Sequence, residues 1–118
     1  MPERVLVVDD HEPFRRLASR LLHEIGREVV GEAGTGKEAL SESRRLKPDL
    51  VLLDIQLPDL DGFAVATTLS SEPGPPAVLL VSSRDATDYG PRLYGCGALG
   101  FITKADLSAD SLKALLGA

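Results

Sequence analysis

Cysteine is nearly absent: Cys96 stands alone among 118 residues. A disulfide within the chain is excluded, and a reducing cytoplasm is the expected setting. No apolar run approaches the roughly 20 residues of a membrane-spanning helix. The run Val5–Val8 is too short for a secretory signal, and no small-residue cleavage site follows it. Positive charge is in short supply, with 13 Lys and Arg against 18 Asp and Glu and a formal net charge of -5. That speaks against direct nucleic-acid binding, whose footprint is a basic face. Arg15, Arg16 and Arg20 do gather in one stretch, but acids and apolar residues interrupt them, as on a solvated helix face. There is no linker-like or low-complexity segment, so residues 1–118 read as one domain, long enough for its own core.

What is present is a regular alternation. Short apolar runs occur at Val5–Val8, Glu28–Ala33, Leu50–Leu53, Ala77–Val81 and Leu99–Ile102. They mostly lack polar alternation, as expected of parallel strands covered on both faces. Helical patterns lie between them. Phe14, Leu17, Ala18, Leu21, Leu22 and Ile25 form one stripe, with Pro13 in the first turn and Gly26 just past the end. A second helix is predicted over Gly36–Leu46, stopped by Lys47–Pro48. A third covers Gly62–Ser71, and a fifth Ser108–Leu116 with Ser108 as its N-cap. The fourth, within "DATDYGPRLYGCGA", is expected to be short, kinked or mobile, because an interior proline costs ~3 kcal/mol and a glycine ~1. Five strands, each followed by a helix, give a doubly wound α/β domain.

Ligands bind beyond the carboxyl ends of the strands in such sheets. The first strand runs straight into Asp9 and Asp10, two like charges that need a cation if they are desolvated. The third ends at Asp54, the fourth at Ser82 and Ser83, and the fifth at Lys104. Three carboxylates on one edge suit Mg²⁺, which takes oxygen ligands and keeps several waters. Asp54 is the candidate nucleophile: a carboxylate can attack phosphorus to give an aspartyl phosphate. A metal and Lys104 would neutralise charge developing on the phosphoryl oxygens.

The segments "VLVVDD", "DLVLLDIQLPDLDG", "LLVSS" and "GALGFITK" occur in this order over nearly the whole chain. Together they resemble the receiver (CheY-like) domain of bacterial two-component response regulators. The resemblance implies a flavodoxin-like parallel sheet in the order 2-1-3-4-5, with two helices on one face and three on the other. It implies Asp54 as phosphoacceptor and Asp10 as direct Mg²⁺ ligand. Asp9 would act mainly through water, and the backbone carbonyl of Gln56 would complete the protein ligands. Ser82 matches the switch hydroxyl, Lys104 the lysine that pairs with a phosphoryl oxygen, and Phe101 the aromatic switch. Pro58 and Gly62 match the turn that shapes the loop after the acceptor. Gln56 and Arg84 are candidates for setting the hydrolysis rate. The implied partner is a sensor histidine kinase. "DDHE", "GEAGTGKEAL" and "GALGFITK" look most like regulators with a C-terminal helix-turn-helix DNA-binding output domain, which is not within this chain; a homodimer is a further form the resemblance allows. Self-phosphotransfer and self-dephosphorylation are implied, not turnover of an independent substrate.

Three positions depart from the pattern. Ala105 follows Lys104 where the family often has a proline and a cis peptide, and a cis bond before a non-proline residue costs ~2.5–4 kcal/mol. Leu57 replaces a common methionine. Gly90–Pro91 falls within the fourth helix, part of the usual output face.

Rival readings fail on particular residues. "GEAGTGK" fits G-x-x-x-x-G-K, but Glu38 stands where a P-loop needs Ser or Thr to hold Mg²⁺. A haloacid-dehalogenase-like phosphatase wants an acid where Gln56 stands. A flavodoxin-like flavin carrier wants a phosphate cradle where Asp9 and Asp10 stand. His11 is expected to cap the first helix, with metal tuning as the alternative. His23 reads as solvent-facing, Cys96 as a buried filler and Ser83 as a structural neighbour of Ser82. Tyr89 and Tyr94 read equally as helix packing or as exposed partner contacts.

Overall fold

A computed structural model describes residues 2–117. Five strands, β1 (Arg4–Val8), β2 (Glu28–Ala33), β3 (Leu50–Asp54), β4 (Ala77–Ser82) and β5 (Gly100–Thr103), form one sheet in the order β2-β1-β3-β4-β5. All four neighbouring pairs are parallel. Four α-helices, α1 (Glu12–Glu24), α2 (Gly36–Leu46), α3 (Gly62–Ser70) and α4 (Ala109–Leu116), flank it.

The unbroken apolar runs reflect burial on both faces. Leu6, Val8, Val51, Leu53, Val78 and Leu80 point to one side, where Ala39 of α2 and Phe63, Val65 and Leu69 of α3 cover them. Their neighbours Val5, Val7, Leu50, Leu52, Leu79 and Val81 point to the other, under Phe14, Ala18 and Leu22 of α1 and Leu112 of α4. Every residue of β3 is buried, so no polar alternation can appear in its sequence. The α1 stripe holds except at Leu17, which is 42% exposed.

The helix ends follow local chemistry. Gly26 sits past α1 at φ 82, a left-handed position that costs glycine nothing. Thr35 caps α2 by accepting from Glu38 N–H, and Ser108 caps α4 by accepting from Ser111 N–H. His11 occupies the N-cap position of α1 as expected, with its carbonyl accepting from the Phe14 and Arg15 N–H groups, but its side chain makes no capping bond.

The largest correction concerns the fourth of the five expected helices. Residues 86–93 form two 3-10 turns instead, Ala86–Asp88 and Gly90–Leu93. Gly90 at φ 58 breaks the helical path, and Pro91 brings no N–H to continue it. The sheet faces are therefore covered by two α-helices each. The described residues contain no cis peptide, so the chain passes from Lys104 to Ala105 in trans. No described helix is long and apolar enough to cross a membrane.

One glycine fixes the loop after β3. A Cβ on Gly62 would lie 2.5 Å from both the Asp54 carbonyl oxygen and the Ile55 Cα. These are backbone atoms and cannot swing aside. Gly62→Ala is expected to cost about 1–3 kcal/mol in urea unfolding, with overpacking as the cause. An unchanged midpoint would show that the loop can shift without penalty.

Candidate functional site

The carboxyl ends of β1, β3, β4 and β5 lie on one edge of the sheet. Register alone fixes most of the site. Val8 pairs with Leu53, Asp54 with Val81, and Ser82 with Thr103, so the residues that follow these pairs share a rim. Asp9 is fully buried, Asp54 is 4% exposed and Ser82 is fully buried, whereas Asp10 is exposed. One carboxylate oxygen each from Asp9, Asp10 and Asp54 lies within 4.8 Å of the others.

The charges are partly compensated from within. Lys104 Nζ sits 2.6 Å from Asp9 Oδ2 and 3.6 Å from Asp54 Oδ2. Asp9 Oδ2 accepts no well-aligned hydrogen bond, so the ion pair is its compensation. Asp9 Oδ1 accepts the His11 N–H at 2.8 Å. The Asp9 carbonyl accepts from Arg15 Nη1 at 2.7 Å, and Arg15 is held in turn by Glu32 at 2.9 Å. Asp54 Oδ1 accepts the Gln56 N–H at 3.1 Å.

One lysine does not balance three acids. Burial, then the charge of Asp9, push the Asp54 carboxyl up to about 6, against the pull of the Gln56 N–H and of Lys104. A second cation is what the arrangement lacks. The donor set consists of hard oxygens with one exposed member, Asp10, open to solvent, and this fits Mg²⁺ rather than a softer metal.

Two residues join the site that the sequence had not assigned to it. Phe14 places its ring under Lys104, with Nζ 4.4 Å from the centroid. Its helical spacing had marked it only as core. Tyr89 shares a 2.6 Å hydrogen bond with Ser82 Oγ, which also accepts the Arg84 N–H at 3.1 Å. Phe101 is half-buried with its ring 6.0 Å from that of Tyr89. Tyr94, by contrast, is 89% exposed. Cys96 is buried, and His23 and Ser83 face solvent.

The loop after Asp54 is stitched to α2. Asp59 accepts from the Gly36 and Lys37 N–H groups at 2.7 and 3.0 Å. These bonds hold its carboxyl below the usual range. The amides that a P-loop would turn toward phosphate are thus already filled by a carboxylate. An open cleft of about 490 Å³ runs beside this loop, bounded across from it by Arg84, Tyr89 and Arg92.

Comparison with known proteins places this geometry. The response regulator receiver domain family matches residues 5–116. The chain is 37% identical to the response regulator GacA of Pseudomonas viridiflava over 95% of its length, covering 53% of that protein. It is 35% identical to the transcriptional regulatory protein PdtaR of Mycobacterium tuberculosis over 98% of its length, covering 56% of that protein. It therefore spans about half the length of the curated relatives it matches. Its backbone is similar to that of the signal receiver domain of NarL from Mycobacterium tuberculosis, with TM-score 0.86, 35% identity and 99% and 98% of the two chains covered. The fold is shared with the chemotaxis response regulator CheY4 of Vibrio cholerae at TM-score 0.85 and 24% identity, over 98% and 97% of the chains. Order of strands, acidic edge and family match agree, and the chain belongs to the response regulator receiver domain family.

Proposed function

We propose that residues 1–118 act as one phosphorylation-controlled switch, with Asp54 as the acceptor. The observation that carries this reading is the near-complete burial of Asp54 beside Asp9, Asp10 and Lys104. A buried carboxylate held by one backbone N–H at Oδ1 keeps Oδ2 directed to the lysine side, where a phosphoryl group would be neutralised.

The partner is a histidine kinase carrying a phosphohistidine. An Asp54 carboxylate oxygen attacks phosphorus in line, the P–N bond breaks, and the imidazole nitrogen leaves with the electron pair. Asp10, Asp9, Asp54 and the Gln56 carbonyl would hold Mg²⁺, which supplies charge neutralisation at the phosphoryl oxygens. Lys104 supplies a second positive charge, kept in reach by Asp9 and by the Phe14 ring. The product carries roughly 1.5–2 negative charges and strong acceptor oxygens. Ser82 turns to donate to one of them, and Phe101 moves with it. The phosphate shifts a two-state population only through such differential contacts.

The domain works in the cytoplasm and passes its state to a DNA-binding output segment or to a partner protein. The relatives' naming as response and transcriptional regulators supports this. The Asp54 phosphate is made and lost by the domain's own chemistry, without turnover of a separate substrate.

The test is incubation with acetyl phosphate, with and without Mg²⁺, read by intact mass. A Mg²⁺-dependent phosphoryl adduct is expected. Folded protein that gains none, with the donor or with a cognate kinase, would overturn the reading. Substitution of Gln56 or Arg84 is expected to change the lifetime of the adduct while leaving Mg²⁺ affinity within about twofold, since Gln56 contacts Asp54 through its backbone N–H, which a substitution keeps. A parallel loss of Mg²⁺ binding would contradict that assignment.

A further inference from the structure

We infer that Tyr89 is the latch of this switch: its hydroxyl holds Ser82 away from the acceptor, and the bond must break for the domain to turn on. The inference rests on the receiver reading above and adds a residue that this reading did not use.

The geometry is specific. Ser82 Oγ is fully buried and has two partners, the Tyr89 hydroxyl at 2.6 Å and the Arg84 N–H at 3.1 Å. Its hydroxyl is thus engaged by two residues that follow β4. The turn of Ser82 towards a phosphoryl oxygen on Asp54, proposed above, rotates χ1 and carries Oγ off the Tyr89 hydroxyl, so the bond breaks whichever of the two groups is the donor. The aromatic residue of β5 cannot replace this partner, since Phe101 carries no hydroxyl.

Tyr89 is also well placed to pass the change on. Its ring packs edge-to-face between Phe63 of α3 at 5.5 Å and Phe101 of β5 at 6.0 Å. Arg92 lies over the Phe63 ring, 4.4 Å from its centroid, and pairs with Asp61 on the acceptor loop. Tyr89 itself sits between the two 3-10 turns that stand where a continuous helix was expected. A segment so short has few internal hydrogen bonds to lose. Freed from Ser82, the tyrosine can move together with Phe101, and residues 86–93 become the element that reports phosphorylation.

The effect is measurable as an affinity difference. Beryllium fluoride with Mg²⁺ mimics a phosphoryl group on a carboxylate and binds the switched state. Removing one neutral hydrogen bond from the resting state lets the mimic bind about two- to tenfold more tightly. Tyr89→Phe keeps the ring and its packing and deletes only the hydroxyl. Titration of wild type and Tyr89→Phe, followed by backbone amide NMR, is expected to show this gain. Tyr94→Phe, at the exposed tyrosine, is expected to show none. In a Ser82→Ala background the Tyr89→Phe effect is expected to vanish, since the bond is already gone. Equal half-saturation in wild type and Tyr89→Phe would overturn the latch. So would a gain of the same size in the Ser82→Ala background, which would assign the effect to packing. A wild type that takes up neither the mimic nor phosphate overturns the receiver reading itself, and the latch with it.

Discussion

Asp54→Ala protein treated with acetyl phosphate and Mg²⁺ is expected to gain no phosphoryl mass, while the wild type gains one adduct. The loss is complete rather than partial because no other carboxylate of the cluster can take over. Asp9 is buried against Lys104 at 2.6 Å, with its second oxygen committed to the His11 N–H. A nucleophile in that position would have to break an ion pair and leave an uncompensated lysine. Asp10 is exposed, so it lacks the burial that sets Asp54 apart. Only Asp54 combines burial, orientation by the Gln56 N–H and a lysine on its other oxygen. Omitting Mg²⁺ from the wild type is expected to slow adduct formation roughly 100-fold or more, the scale of losing one preorganised charge at a transferring phosphoryl group. A residual adduct in the alanine variant would move the acceptor elsewhere. Thermal unfolding of the same samples shows whether the variant is folded.

Asp54→Asn is expected to be more stable than the wild type at pH 8 in a chelator, by on the order of 2–3 kcal/mol, and about equal to it at pH 4. Burial and the Asp9 charge raise the Asp54 carboxyl from 3.8 to about 6. The folded chain therefore keeps a proton that the unfolded chain has already released. Between these two values each pH unit removes about 1.4 kcal/mol from the folded state, and above the upper one the loss is constant. Asparagine has nearly the same shape and no charge, so it removes the penalty. Urea unfolding of both proteins from pH 4 to pH 8 checks this. A difference that stays flat with pH, or that favours aspartate at high pH, would mean that Lys104 outweighs burial. Mg²⁺ at a hundred times its dissociation constant is expected to return about 2.7 kcal/mol to the wild type. That pair of results would be the free-energy signature of a site built for a bound cation.

Much of this architecture was written in local chemistry. Val5–Val8 and Leu50–Leu53 announce strands covered on both faces, because a residue with no exposed side has no reason to be polar. Gly26, Thr35 and Ser108 mark helix ends through their own backbone and hydroxyl preferences. Asp9, Asp10, Asp54, Ser82 and Lys104 each follow an apolar run, so a parallel sheet carries all of them to one edge whatever the details of packing. Residues 86–93 were less legible. Gly90 and Pro91 warned against a helix, but the two 3-10 turns in its place depend on what the segment packs against.

The partners of individual side chains were decided only by the tertiary structure. Phe14 carries the same helical spacing as Ala18 and Leu22, yet it alone lies under Lys104, 90 positions away in the chain. Nothing in the sequence around Tyr89 shows that its hydroxyl reaches Ser82 and that its ring sits between Phe63 and Phe101. The apolar periodicity and chain order determined the fold and the edge where the acids meet, because strand direction and burial are properties of short segments. Which acid is buried, which cation it meets and which hydroxyl restrains the serine were settled by contacts between distant segments, since those depend on angles and separations that no local pattern encodes.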